Sequence, residues 1–219
     1  MAAGVLAFVV AYLVGEPQLQ RGIDFAEGAD PEVVPAPVSR NVQATVGLLT
    51  GTVLVSVAMG GLFALVFAYA YGRVSSAGAR ATSAVLAALA FLAVSLVPFT
   101  KYPPNPPGIG GADTIEARSL LFIAMIAVTV IALIAASRIR RQCLNRLGPW
   151  NASIVAAAIF VVLVVIAQAI LPSAEAAPAT FPAEVLYDFR IASLAVGGTI
   201  WLAIGLGFGA LADGVLRDR

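Results

Sequence analysis

Long stretches without a charged residue are the feature that most constrains this chain. Five of them have about the 20 apolar residues that a helix needs to cross a bilayer: 44–71, 81–99, 119–137, 152–171 and 191–212. The chain is 60% apolar and only 11% charged, whereas soluble domains carry about 25% charged residues. It therefore has too few polar residues to cover a soluble fold, and we predict an all-α integral membrane protein.

A sixth, shorter apolar run covers residues 2–15. It has the length of a signal-peptide core, but no basic residue precedes it and no small-residue cleavage site leads into a soluble domain. We interpret it as a first span with a clipped start or in a thinned bilayer; five spans behind a signal peptide is the alternative. We thus predict a single membrane domain, 1–219, with a six-helix transmembrane bundle at about 2–15, 44–71, 81–99, 119–137, 152–171 and 191–212.

The charged residues separate between the two sides of this six-span arrangement. One side carries eight basic and two acidic residues, net +6, and the other carries five basic and ten acidic residues, net −5. Because basic loops stay in the cytoplasm, we predict that both termini are cytoplasmic and that the acidic side faces outward. Twelve of the 13 prolines lie on or near the acidic side. Since proline restricts the backbone, we expect ordered, Pro-rich outer loops.

Several functional classes are disfavoured by what the chain lacks. It has no histidine and a single cysteine, Cys143, which excludes histidine-based catalysis, histidine-ligated metal or haem and an intrachain disulfide. A net charge of +1 argues against nucleic acid as a partner. No GxxxxGK motif indicates ATP binding, and no nucleophile is spaced with a base. We predict a protein that is not an enzyme and holds no permanent cofactor.

Glycine spacing predicts where helices approach each other. Gly47 and Gly51 are four residues apart in the second span, and Gly205 and Gly209 are four apart in the last one. Small residues at this spacing let two helix backbones come close in a membrane. We therefore expect these two spans to be central in the bundle.

Three polar stretches mark the predicted outer side. The first is GEPQLQRGIDFAEG (15–28), followed by SRNVQ (39–43); the second is TKYPPNPPGIGG (100–111), followed by DTIEARS (113–119); the third is FPAEVLYDFRIAS (181–193). We expect these stretches to converge on one surface above a charge-free helical core.

Two interpretations of this surface remain open. Glu184 and Asp188 share a helix face because they are four residues apart, and with Glu16 and Asn105 they would form an oxygen-rich metal site. Alternatively, the carboxylates belong to a structural network of ion pairs and hydrogen bonds. The candidate members of that network are Arg40, Gln43, Lys101, Tyr102, Arg118 and Arg190. The residues alone favour the network, because hard-cation sites usually need more ligands.

In this order, the polar motifs resemble those of CbtA, a family of predicted cobalt-transporter subunits. The matching stretches are GEP with the following Arg21, SRNVQ, GGLFALVFA, PFTKYPPNPPGIG, DTIEAR and FPAEVLYDFRIASL. The chain departs from the family pattern at Pro104, where alanine is common, at Ala117, where tyrosine is common, and at Tyr187, where tryptophan is usual.

The resemblance implies a multi-pass protein of the bacterial inner membrane that takes part in cobalamin-regulated cobalt uptake. It further implies cobalt(II) as the transported ion and a small single-span partner, CbtB, with histidines near its terminus. Our hypothesis is a membrane subunit of a cobalt or other divalent-metal uptake system whose acidic outer face feeds the helical bundle. The alternative is a structural or assembly subunit that docks into a larger membrane complex through its outer polar surface.

Overall fold

The computed structural model describes residues 1–29, 38–73, 77–107, 109–110, 114–173 and 177–217. Within these ranges the protein is almost entirely helical and contains no β-strand. Residues 103–107 of the proline-rich stretch are described, whereas other loop residues predicted to be ordered, at 30–37, 108, 111–113 and 174–176, lie outside the described residues.

Five helices in the described part are long and apolar enough to cross a membrane. They are α1 (Ala2–Gly28), α2 (Arg40–Ala70), α3 (Ala79–Lys101), α4 (Ile115–Ile170) and α5 (Ala183–Arg217). This confirms the predicted all-α fold with helices long and apolar enough to cross a membrane. Six crossings and cytoplasmic termini remain predictions.

Helix α4 holds two of the predicted spans, 119–137 and 152–171, and is broken between them. Gly148 has φ 73° and ψ 169°, and Pro149 follows. Met125 and Val164 lie in one apolar cluster, although a straight helix would place them roughly 60 Å apart. Since glycine tolerates positive φ and proline suits a helix start, the Gly-Pro pair ends one helical segment and begins the next, and the chain folds back on itself.

Three helices contain a short π-helical stretch, in which each turn holds an extra residue. These stretches are Ala11–Gly15 in α1, Gln43–Gly47 in α2 and Leu92–Leu96 in α3. Such turns account for well under 1% of residues in ordinary proteins and often lie at functional sites. In α1 and α2 they directly adjoin Glu16 and Val42, so they shift the helix face on which the first polar stretch is presented.

The described chain divides into two compact units. The first comprises Met1–Phe91, Pro104–Ile109 and Pro178–Arg219, and the second comprises Leu92–Pro103 and Gly110–Ala177. The prediction of a single membrane domain stays a prediction.

Close backbone contact between α3 and α5 organises the first unit. A Cβ at Gly205 would collide with the Cβ of Ala87, and a Cβ at Gly209 would lie 3.0 Å from that of Ser83. The buried Ser83 hydroxyl donates a 2.7 Å hydrogen bond to the Gly205 carbonyl. The packing predicted for the glycine pair of the last span is therefore confirmed.

Helices α1 and α2 complete the first unit. A Cβ at Gly4 of α1 would lie 2.6 Å from the Val53 Cα of α2, and Phe63 and Phe67 of α2 meet Phe208 of α5 edge-on. By contrast, a Cβ at Gly51 would meet nothing within 4 Å in the described structure. The close contact predicted for the glycines of the second span is not found among the described residues.

The second unit is built on the α4 hairpin and the last turns of α3. Its core cluster contains Val97, Tyr102, Met125, Ala132 and Val164. Gln168 donates a 2.7 Å hydrogen bond to the Thr100 hydroxyl, so a polar contact joins the second half of α4 to the end of α3.

Candidate functional site

Residues of all three polar stretches meet in the first unit, around the polar turns 16–22 of α1. We call this group the polar cap; it comprises Glu16, Gln20, Arg21, Gly22, Arg40, Asn105, Pro106, Asp188 and Arg190. The predicted convergence of these distant stretches is therefore observed, while the side of the membrane on which they lie remains a prediction.

The most buried ion pair of the cap joins the beginnings of two polar stretches. Arg40 Nη2 contacts Glu16 Oε2, with side-chain exposures of 30% and 13%, and Arg40 Nε donates to Gln20 Oε1 at 3.2 Å. Glu16 and Gln20 are one helical turn apart and face the same partner. Because partial burial reduces screening, this pair holds the start of α2 against α1.

A second ion pair links α1 to α5. Arg21 Nη1 lies 3.4 Å from Asp188 Oδ2 and 3.1 Å from Gln18 Oε1. The Arg21 side chain is 53% exposed, and exposed ion pairs contribute only about 0–1 kcal/mol. This contact therefore orients Asp188 more than it stabilises the fold.

The proline-rich stretch reaches the cap through Asn105 and Pro106. Arg190 Nη2 donates a 2.9 Å hydrogen bond to Asn105 Oδ1. The fully buried Pro106 packs on α1, where a Cβ at Gly22 would lie 2.8 Å from the Pro106 Cβ. The glycine thus makes room for the proline, and the prolines on either side hold the Asn105 amide against α5.

The residues predicted to bind metal were Glu16, Asn105, Glu184 and Asp188. Three of them contact an arginine, as described above, and Glu184 is exposed in the first turn of α5. In the described ranges, no group of three or more histidine, cysteine, aspartate or glutamate side chains is arranged to hold a metal ion. The metal site stays a prediction, and the contacts seen are those of an ion-pair network.

The predicted network residues were Arg40, Gln43, Lys101, Tyr102, Arg118 and Arg190. Of these, Arg40 and Arg190 belong to the cap. Gln43, in the first turns of α2, donates its Nε2 group to the Val38 carbonyl at 2.9 Å. Sequence analysis did not name Gln20, Arg21, Gly22 or Pro106 as site residues. The signals for two of them were the one-turn spacing of Gln20 from Glu16 and a glycine, Gly22, inside a polar helical turn.

Three predicted network residues lie in the second unit. Lys101 ends α3 and is half-buried. Tyr102 is buried and donates to the Pro172 carbonyl at 2.6 Å, and burial raises the pKa of its phenol, so the hydroxyl stays protonated as a donor near neutral pH. The Arg118 guanidinium lies against Gly110, where a Cβ would be 2.7 Å from Nη1.

Another ion-pair cluster joins the first turn of α3 to the last turns of α5. Asp213 Oδ2 lies 2.8 Å from Arg80 Nε and 3.0 Å from Arg217 Nη2. The aspartate is only 14% exposed, whereas both arginines are about 70% exposed. These residues belong to the predicted cytoplasmic side.

An apolar groove of about 460 Å³ lies beside the contact between α3 and α5. It is lined mainly by small and apolar residues such as Ala84, Ala87 and Gly198, and no charged residue lines it. Among the described lining residues, Thr199 offers the one side-chain oxygen, fewer ligands than a metal site usually has.

Comparison with known proteins bears on the whole chain. A family model described as "Probable cobalt transporter subunit (CbtA)" matches residues 1–213, which include all three polar stretches. Neither the curated proteins nor the solved structures gave a match. The five apolar helices agree with a multi-pass membrane subunit. Because the match covers nearly the whole sequence, the chain belongs to the CbtA family of cobalt transporter subunits.

Proposed function

We propose that the protein is the membrane subunit of a cobalt uptake system in the bacterial inner membrane, with both termini in the cytoplasm. The family match over residues 1–213 is the observation that carries this proposal. The excess of acidic residues on the predicted outer side supports it, because a net negative surface raises the local concentration of cations.

The polar cap would act as the first contact for the metal ion. Glu16 and Asp188 are held by Arg40 and Arg21, and an arriving divalent cation would compete with these arginines for the carboxylate oxygens. Asn105 and the exposed Glu184 would add oxygen ligands. A cap of this kind binds weakly, which suits the uptake of an ion that must be released again.

Selectivity for cobalt(II) would come from a partner. Cobalt prefers sites that include imidazole ligands, and this chain has no histidine. A small single-span CbtB-like protein with histidines near its terminus would supply them. The chain itself would carry no permanent cofactor and perform no catalysis.

Cobalt uptake by cells that make this protein together with its partner tests the cap. We expect the double variant Glu184→Gln/Asp188→Asn to lower the initial rate of radioactive cobalt uptake several-fold, because two candidate oxygen ligands lose their charge. The control variant Glu27→Gln/Glu116→Gln removes the same charge from two exposed carboxylates outside both the predicted ligand set and the polar cap. Equal uptake by the two double variants, at equal protein levels, would remove the proposed site.

An assembly role is the second candidate function, and the arginine contacts already made by the cap carboxylates favour it. Glu16, Asp188 and Asn105 each contact an arginine, as expected of a rigid docking surface. In mild detergent, this function predicts co-purification with a larger membrane complex and cobalt uptake that is insensitive to the Glu184/Asp188 double variant. A small homo-oligomer with sensitive uptake contradicts it.

A further inference from the structure

Arg190 is the cap arginine whose charge no carboxylate balances within the described residues. Its Nη2 group donates to the neutral amide oxygen of Asn105, and its buried Nε has no acceptor there. Both carboxylates of the cap pair with other arginines: Asp188 pairs with Arg21, and Glu16 pairs with Arg40. A half-buried cation without an anion is costly, so this position calls for an anionic ligand.

The position of Arg190 along the helix identifies the anions that can reach it. It is the last charged residue before the uncharged stretch 191–212 of α5. A stretch of this length spans the hydrocarbon core, so the guanidinium lies at the level where the core gives way to lipid headgroups. Phospholipid phosphates are concentrated there.

The groups around Arg190 are arranged to bind a phosphate. A guanidinium presents five N–H donors in a planar fork that matches phosphate oxygens, and only one of them donates to a described residue. Because Asn105 accepts through Oδ1, its Nδ2 group is left as a second donor beside the fork. The asparagine is held in place by Pro106, which packs on Gly22, so the donors are ordered before a ligand arrives.

We propose that Arg190 and Asn105 form an anion site at the membrane boundary, which binds the phosphate group of a phospholipid. A lipid enters this site laterally from the bilayer, whereas a free phosphate ion would approach through a surface of net charge −5 on the predicted outer side. The charge balance thus favours a lipid as the source. This site shares Asn105 with the proposed metal contacts, but it does not rest on cobalt transport, and lipid binding is measured in the absence of metal.

Lipid titration of the detergent-purified full chain, read out by native mass spectrometry, tests the site. The probe is dioleoyl phosphatidylglycerol, and dioleoylglycerol serves as the phosphate-free lipid with the same acyl chains. We expect Arg190→Gln to weaken binding of one phosphatidylglycerol on the order of tenfold, the effect of losing a charge-assisted hydrogen bond. Equal retention by the variant and the unchanged protein overturns the proposal, as does equal binding of dioleoylglycerol.

The variant Asn105→Asp tests whether Arg190 and Asn105 bind a ligand or only hold α5 against the proline-rich stretch. The new carboxylate would stand 2.9 Å from Arg190 Nη2 and neutralise it internally. We expect this variant to lose the bound lipid while its unfolding temperature in lipid-free detergent stays the same or rises. A folded Asn105→Asp variant that retains the lipid overturns the proposal even if Arg190→Gln fails to fold.

Two further measurements in the same experiment identify the source of the bound phosphate group and the specificity of the site. Inorganic phosphate in large excess should not displace the lipid; displacement would support the anion site and overturn the lipid as its source. Arg73→Gln removes an arginine that contacts the Tyr69 ring and backbone carbonyls outside the cap. An equal loss of lipid in that variant shows non-specific headgroup attraction and overturns the site.

Discussion

At the scale of single residues, glycines decide which surfaces of this protein touch. Gly22 is buried in a polar turn of α1, and the missing side chain is replaced by the ring of Pro106. That contact sets how closely Asn105 approaches α1. The sequence shows a glycine, a proline pair and an asparagine, but not that the first admits the others, because the two segments are more than 80 residues apart.

Gly22→Ala is expected to destabilise the protein. The new Cβ would lie 2.8 Å from the Pro106 Cβ, and overpacking of this kind costs about 1–3 kcal/mol, more than the gain in helix propensity of up to about 1 kcal/mol. Thermal unfolding in detergent measures the effect. Gly15→Ala, at a position in the same helix that is open within 4 Å, should leave the unfolding temperature unchanged or raise it. The same result for both variants would contradict the packing of Pro106 on α1.

At the scale of helices, apolar length was predictable, whereas the partner of each helix was not. Charge-free runs located all five apolar helices, and the Gly148–Pro149 pair lies between two of the predicted spans. Glycine spacing identified α5 as a closely packed helix but gave Gly51 the same role, and a Cβ there meets nothing within 4 Å in the described structure. The spacing shows that a close approach is sterically allowed, and it carries no information about what approaches.

Gly148→Ala is expected to strain the turn of the α4 hairpin. With φ 73° and ψ 169°, Gly148 occupies a backbone region that is essentially restricted to glycine, and alanine there costs roughly 1–3 kcal/mol. The variant should unfold at a lower temperature in detergent, while Gly207→Ala, at an open position in α5 with ordinary helical backbone, should not. A variant at 148 that is as stable as the unchanged protein would mean that the chain does not reverse through this backbone conformation.

At the scale of the whole molecule, the charge separation predicted an acidic and a basic side, and the polar cap collects residues of the acidic one. Five of the nine cap residues had been named as site residues, whereas their pairing was not predictable. Glu184 and Asp188 share a helix face in sequence, yet Asp188 pairs with Arg21, 167 positions away. Only the folded chain shows which cations reach which carboxylates.

Cysteine labelling in intact cells tests the predicted sidedness. In a Cys143→Ser background, Tyr187→Cys, whose native side chain is 64% exposed, should react with a membrane-impermeant maleimide in whole cells. Leu147→Cys, at a position 43% exposed beside the α4 turn, should react only after permeabilisation. The reverse pattern, or labelling of both positions from outside, would invert or abolish the outward-facing cap.

The contact of α3 with α5 also limits how these two helices can move within the first unit. At Gly205 and Gly209 no side chain of α5 separates the two backbones, and the Ser83 hydroxyl closes the gap with its bond to the Gly205 carbonyl. Separating the two helices would break this buried hydrogen bond and open the close packing at both glycines. A movement that keeps the first half of α3 together with α5 therefore costs less than one that separates them.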